Sequence, residues 1–488
     1  MYFNSIQFLI FFPIVTIIYF IIPHRIRWIW LLIASYYFYM SYNPKYVVLI
    51  GISTIITYVG GLLIEKANDI KTRKTLVFLS VSSNVGILAL FKYYNFFITA
   101  TERFFSHFNI IMDVPEFDFL LPLGISFYTF QALSYIIDVY RKDVKAEKNL
   151  GKYALFVSFF PQLLSGPIQK SKNFIHQIDE KHYFDYNRVK NGLLLMLWGY
   201  FQKTIVADRI GQVVNTVYNN PGNYKGFQII IATIFFAFQL YCDFSSYSNI
   251  AIGAAEVMGF KLSKNFERPY FSKSIKEFWK RWHMSLTGWF MDYLYFPLGG
   301  SRCSKLRTYF NVMVVFLVSG LWHGAGFTFI IWGFLHGMYY IIGKVLNPVK
   351  KKLIHKFNIK VYTFTYKLTQ VLINFVLIDF AWLFFRANSF ESSIILIKNM
   401  AYFNPSIFTD GSLYKLGLDS PNFLIGILGL IVVLIVDLMQ RKEDVRDELL
   451  KKNVVLRWSL YVTSIIVILI FGIYGDGYNV QEFIYSNF

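Results

Sequence analysis

Long apolar runs, each closed by a short polar or basic segment, recur from one end of the chain to the other: Ser5 to Pro23, Lys45 to Ile64, Leu76 to Phe96, Phe227 to Tyr247, Tyr362 to Phe385, Phe423 to Met439 and Arg457 to Gly475. About 20 consecutive apolar residues form a helix that crosses the hydrocarbon core of a bilayer, so this spacing predicts a series of membrane-crossing α-helices. No soluble domain interrupts them. Two stretches break the rhythm. Residues 152–167 hold Pro161 and a Ser-Gly-Pro run and are expected to enter the membrane and turn back, which requires non-helical backbone to be buried in protein or to line a cavity. Residues 261–307 mix charges with Phe, Trp and Tyr and contain no run long enough to cross, which predicts an interfacial position. Within them Ser274 and Glu277 form a capping-box pattern, and Ile275, Phe278, Trp279, Trp282 and Leu286 follow at helical spacing. The pattern predicts one amphipathic helix over 274–286.

The polar connections set the orientation. Residues 65–74 are basic, 99–118 are acidic through Glu102, Asp113, Glu116 and Asp118, and 142–152 are basic again. Later, 344–360 are basic, 388–421 carry Glu391, Asp410 and Asp419, and 441–457 return to basic. Because basic loops stay in the cytoplasm, this alternation predicts both termini outside a cytoplasmic membrane. The first run has no basic n-region or small-residue cleavage site and reads as an uncleaved span.

Composition agrees with the pattern: of 488 residues, 55% are hydrophobic, 20% aromatic and only 16% charged. The formal charge of +19 sits in the short connections rather than on a soluble face, so it argues against a nucleic-acid binder and for the positive-inside signal. Two cysteines, Cys242 and Cys303, allow no disulfide framework and no paired-cysteine metal site, and no metal is expected. The chain is thus expected to be an all-α polytopic protein with the lipid bilayer as its solvent. It divides into N-terminal spans over 1–150, a core over 151–345 and C-terminal spans over 362–475.

His323 is the residue whose position demands chemistry. It lies in VSGLWHGAGFTFIIWGFLHG, residues 318–337, and an imidazole at membrane depth is a functional-site hypothesis by default. Basic residues on both sides make 309–343 a hairpin entered from the cytoplasm, and straight helix from Arg307 puts His323 about 24 Å above the boundary, with His336 at about 12 Å on the return. His283 lies on the flank of the amphipathic segment, about 40° from Trp279 at 3.6 residues per turn. His24, His107, His176, His182 and His355 fall in loops or at interfaces and are expected to be solvated. A neutral histidine suits general-base work on a hydroxyl, which then needs an activated acyl donor. No Gly-x-Ser-x-Gly elbow, P-loop, dinucleotide fingerprint or His-Glu-x-x-His motif is present. A further polar cluster, YCDFSSYSNIAIG at 241–253, places Asp243, Ser245 and Tyr247 near membrane depth, where a carboxylate needs a partner.

FWKRWHMSL (278–286), YFPLGGSR (295–302), LWHGAGFTFIIWGFLHG (321–337), LPLGISFYTFQALSYIIDVYR (121–141), SGPI (165–168) and YCDFSSYSNIAIG together resemble the membrane-bound O-acyltransferase (MBOAT) family. The closer resemblance is to its bacterial polysaccharide O-acetylation branch, comprising alginate, cellulose and peptidoglycan O-acetylation proteins and related to the D-alanyl transfer protein of teichoic acid modification. Two positions depart from the branch's Asp-Phe-Ser-Gly-Tyr-Ser-Asp pattern: Ser246 replaces the Gly and Asn249 the second Asp. The resemblance implies a bundle of about 11–13 membrane segments around a funnel or tunnel. It implies His323 as the catalytic histidine, and His283, which matches a second polar position 40 residues upstream, as its partner. His336, Asp243, Ser245, Tyr247, Trp279, Arg281, Trp282 and Trp322 are expected to line or support the substrate path. The implied reaction moves an acetyl group from a cytoplasmic thioester, acetyl-CoA or another, with no permanently bound cofactor. The acceptor is a cell-surface polysaccharide such as cellulose, alginate or peptidoglycan, reached directly or through an extracytoplasmic acetyltransferase partner protein, for which the tail Tyr478 to Phe488 is a candidate docking element. D-alanyl transfer to teichoic acid and non-enzymatic transport of polysaccharide or lipid are the alternatives.

Overall fold

A computed structural model describes residues 1–110, 115, 122–441, 445–474 and 483–484. Among them, regular structure is entirely helical, as the apolar periodicity predicts. Among the described residues, seven helices are long and apolar enough to cross a membrane: Tyr46–Lys66, Ile70–Ser106, Phe227–Met258, Phe327–Lys356, Phe364–Arg386, Ser420–Met439 and Val454–Phe471. Ile6–Ile21 is apolar but shorter. Any further membrane segments toward the expected eleven to thirteen have to come from helices below that limit, such as His24–Met40, Ile125–Arg141 and Lys305–His323. Val454–Phe471 buries none of its residues, and Val455, Trp458, Leu469 and Ile470 are all exposed. Such an apolar surface is stable only where lipid rather than water surrounds it.

Helix starts follow local chemistry. Ser5, Asp69, Asn149, Ser304, Thr363, Asp419 and Asn453 each accept a first-turn N–H with the side chain, satisfying donors that the helix leaves open. The acidic loop expected at 99–118 begins later than its composition suggests, because helix Ile70–Ser106 continues through Glu102. Asp113, Glu116 and Asp118, and all of the tail Tyr478 to Phe488 except Phe483 and Ile484, lie outside the described residues.

The chain forms two compact units. The first comprises the described residues of 1–196 and 247–264. In it Gly60 and Gly61 let helix Tyr46–Lys66 press against Ser80 and Tyr135, and Tyr153 donates to Thr57 at 2.7 Å. Residues 153–169 are buried throughout, with helix Leu150–Ser158 followed by irregular backbone. That backbone is satisfied internally: the Phe160 N–H donates to Ser35 Oγ at 3.1 Å, and Gln131 and Gln162 both donate to the Phe156 carbonyl. Internal satisfaction is what bilayer depth demands of non-helical chain. His182 is not solvated as its loop position suggests. It is 8% exposed, its ring packs on Phe260 at 4.8 Å, and its Nε2 lies 2.9 Å from the Gln177 carbonyl.

The second unit comprises residues 197–246 and 265–484. The amphipathic segment does not form the single helix expected over 274–286. Ser274 caps a helix that runs only from Ile275 to Trp279, and a new one runs from Met284 to Phe290. The break comes from tertiary hydrogen bonding. The Arg281 carbonyl accepts from Glu267 N–H at 3.0 Å, the Met284 N–H donates to the Asn265 carbonyl at 2.9 Å, and Ser285 Oγ donates to Asn265 Oδ1 at 2.6 Å. These bonds hold His283 at φ +43°, ψ +54°, a left-handed conformation that costs a non-glycine residue energy and recurs at functional sites.

Candidate active site

The hairpin of helices Lys305–His323 and Phe327–Lys356 is drawn together by glycine. A Cβ at Gly320 would meet the Phe329 carbonyl, and one at Gly333 the Phe316 carbonyl, so only the missing side chains let the two backbones approach this closely. The turn of three residues, Gly324 to Gly326, leaves His323 as the last residue of the first helix. Its ring packs against Trp332 of the second helix at 5.0 Å and against Phe385 of helix Phe364–Arg386 at 5.3 Å. Trp322, beside it in sequence, closes a third side at 4.8 Å.

His283 arrives from the broken interfacial segment. Its ring centroid lies 6.4 Å from that of His323 and 5.9 Å from Trp322, and Phe244 packs edge-on at 4.6 Å. At that separation the imidazoles do not stack, yet one small group such as a carbonyl can touch both within hydrogen-bonding reach. Both are inaccessible to solvent, His283 at 0% and His323 at 1%. The positive φ at His283 aims the side chain inward, where a continuous helix would have placed it on a flank.

His336 stands on the other side of Trp332, 5.1 Å from it. Its Nδ1 accepts from Trp279 Nε1 at 3.3 Å, which places the proton of the neutral ring on Nε2. Trp282 is fully buried against Trp382 at 5.1 Å, and Trp332 stacks on Trp382 at 5.6 Å. The result is an aromatic enclosure around two adjacent imidazoles, with a third imidazole behind one wall. Low-dielectric walls strengthen every polar interaction inside them.

Other expected site residues are placed differently. Arg281 pairs with Glu277 at 2.7 Å, partly exposed, four residues apart in sequence. Ser245 accepts from Gln202 at 2.9 Å. Asp243 has its partner in Lys203, whose Nζ lies 2.6 Å from Asp243 Oδ1 and 2.8 Å from Asp208 Oδ1, with all three side chains buried. Tyr247 belongs to the first unit and stacks on Phe3 at 4.5 Å.

Sequence reasoning missed Lys203, Asp208, Trp332, Trp382 and Phe385. The signal for the first two was present: a Lys and an Asp five apart in the otherwise apolar run LLLMLWGYFQKTIVADRIG. Residues 201–207 are π-helical, a rare form concentrated at functional sites, and its i→i+5 geometry turns Lys203 toward Asp208. The three aromatic residues carry no signal beyond being large and apolar.

The membrane-bound O-acyltransferase family model matches residues 148–394, which include both histidines and the hairpin. The chain is 34% identical over 404 residues to the peptidoglycan O-acetyltransferase of Helicobacter pylori, covering 77% of this chain and 74% of that one. It is 37% identical over 406 residues to the probable alginate O-acetylase AlgI of Pseudomonas aeruginosa, covering 80% and 73%. The teichoic acid D-alanyltransferase of Bacillus subtilis matches at 30% identity over 239 residues, 46% of this chain and 59% of that one. With a helical membrane architecture, two buried imidazoles side by side and these relatives, the chain belongs to the membrane-bound O-acyltransferase family and is an O-acyltransferase.

Proposed function

We propose that this protein transfers an acetyl group from a cytoplasmic acyl thioester, acetyl-CoA or a related donor, for O-acetylation of a cell-surface polysaccharide. The observation that carries the reading is the pair His323 and His283, buried with ring centroids 6.4 Å apart in an aromatic enclosure. His323 takes the proton of the attacking hydroxyl as the hydroxyl oxygen bonds to the thioester carbonyl carbon. His283 orients the donor and polarises that carbonyl. The C–S bond then breaks, and the proton held by His323 passes to the departing thiolate. The ester product and the free thiol account for every atom.

The hydroxyl belongs to the sugar or to an outer partner protein that completes the transfer. Acetylases of peptidoglycan and alginate align with about four fifths of the chain, the D-alanyltransferase with under half, which supports acetyl over D-alanyl as the group moved. The positive-inside alternation supports donor entry from the cytoplasm and acceptor access from outside, with both termini outside.

The test compares ester-linked acetate on purified surface polymers between the wild type and a His323→Ala strain, with protein in the membrane quantified in both. Acetate should vanish, and unchanged acetate would sink the proposal. A His323→Gln strain separates catalysis from transport: a transporter tolerates the near-isosteric change, whereas the acyltransferase exports polymer that lacks acetyl esters.

A further inference from the structure

Away from the histidines, the first unit carries a cleft of about 270 Å³ whose lining includes Lys145, Glu147, Ser171, Lys172 and His176. One wall is the start of helix Ser171–Asp179. In that first turn the Asn173 N–H donates to the Lys170 carbonyl at 3.0 Å, but the Ser171 and Lys172 N–H groups have no acceptor within the helix, and Lys170 at the N-cap supplies no side-chain bond to them. Ser171, 3% exposed, lines the same cleft, and its Oγ has no hydrogen-bond partner. A buried hydroxyl without an acceptor is unfavourable, and an oxygen-rich ligand in the cleft removes that cost.

Charge selects the ligand. Lys145 and Lys172 are exposed at the cleft, and Lys142, Lys148 and Lys170 stand close in sequence to its lining. Glu147 is the lining's carboxylate, and its Oε1 already accepts from the Asn149 N–H at 2.8 Å. His176 faces Glu180 at 3.6 Å, and Lys152 is tied to Asp179. Open helix N–H groups, a hydroxyl donor and two ammonium groups form the donor set that recognises phosphate. We propose that this cleft binds a phosphate-bearing anion, the phosphate coming from a phospholipid headgroup or from a soluble compound. Its basic rim, 142–152, is a segment expected on the cytoplasmic side, where both sources are present.

The test uses the full-length protein in a phosphate-free maltoside detergent, titrated with inorganic pyrophosphate in one arm and phosphatidylglycerol in the other. Amide hydrogen exchange is read across 171–176. At least one probe should slow exchange in the first turn, and which one does so identifies the source. Half-saturation should rise about tenfold in Ser171→Ala and at least as much in Lys145→Gln/Lys172→Gln, the scale expected for losing a hydrogen bond to a charged group. Both lysines are exposed, so folding of the double variant is not at stake. Absence of slowing with either probe overturns the proposal, and so does slowing that survives either variant unchanged.

Discussion

Replacing Lys203 by methionine removes one ammonium group from between two carboxylates. Lys203 Nζ lies 2.8 Å from Asp208 and 2.6 Å from Asp243, and the side chains are 0%, 1% and 3% exposed. The same Nζ sits 4.3 Å from the Phe483 ring, and Asp243 Oδ2 accepts from the Ile484 N–H at 2.7 Å, so the cluster also anchors the end of the described chain. Methionine keeps most of the apolar stem, and the loss is therefore electrostatic rather than a cavity. Breaking a buried pair by removing one partner costs about 3–5 kcal/mol, because the carboxylates left behind, Asp208 and Asp243, stay buried without the ammonium group that was bonded to both. Losing the Phe483 contact adds about 0.5–2 kcal/mol. The triple variant Lys203→Met/Asp208→Asn/Asp243→Asn removes the charges together and should recover at least half of the loss, since a whole buried ion cluster is often replaceable at little net cost. Phe244 follows Asp243 and packs on His283 at 4.6 Å, so acetyl transfer should fall with stability in the single variant and recover less than stability in the triple. Thermal unfolding in detergent, followed by fluorescence-detected size exclusion, reads the first quantity, and ester-linked acetate the second. The reasoning fails if the single variant stays within about 1 kcal/mol of wild type, or if the triple is no more stable than the single.

Other expectations concern the hairpin, the third histidine and pH. Gly320→Ala and Gly333→Ala each drive a methyl group into a facing carbonyl, and each should destabilise by about 1–3 kcal/mol, with a loss of acetyl transfer that exceeds the loss of folded protein. An unaffected thermal midpoint in both would refute the backbone contact. Trp279→Phe removes the N–H that fixes the His336 tautomer at 3.3 Å while keeping an aromatic ring, though a smaller one, and should lower activity by less than His323→Ala does. Equal losses would place His336 in the reaction itself. Burial pushes the His182 imidazole below its ordinary range, so its contribution to stability is complete above the unfolded value of about 6.5 and is lost as pH falls toward the lower folded value. Protection of the amides around Gln177 and Lys261, corrected for the intrinsic pH dependence of exchange, should fall between pH 7 and pH 5 in wild type and change less in His182→Gln. Identical profiles would exclude the effect.

Much of the architecture was legible in the chain because membrane solvation acts residue by residue. A span must be apolar along its length, so Tyr46–Lys66, Phe364–Arg386, Ser420–Met439 and Val454–Phe471 appear in the sequence within a few residues of their observed ends. The helix start at Ser274 was likewise local, written by one capping side chain. His323 was legible for the same reason: an imidazole in an apolar run needs a cause wherever the chain later goes.

What periodicity could not supply was everything settled by contacts distant in sequence. The run from 274 to 286 has helical spacing throughout, yet Asn265 and Glu267 take its backbone partners and break it at His283. That break turns a residue expected on a flank into one facing His323. Asp243 announced its need for a partner, but Lys203 lies 40 residues earlier and reaches it only after a π-helical turn. The walls of the enclosure, Trp332, Trp382 and Phe385, look in sequence like any other large apolar side chains. By itself, then, the sequence determined the membrane solvent, the helical class and the candidate imidazole, His323, since these depend on each residue's own transfer energy and local spacing. The tertiary structure alone decided which imidazole faces which, and what each buried charge is paired with, because hydrogen bonds between distant segments outweigh the local helical preference of the residues they join.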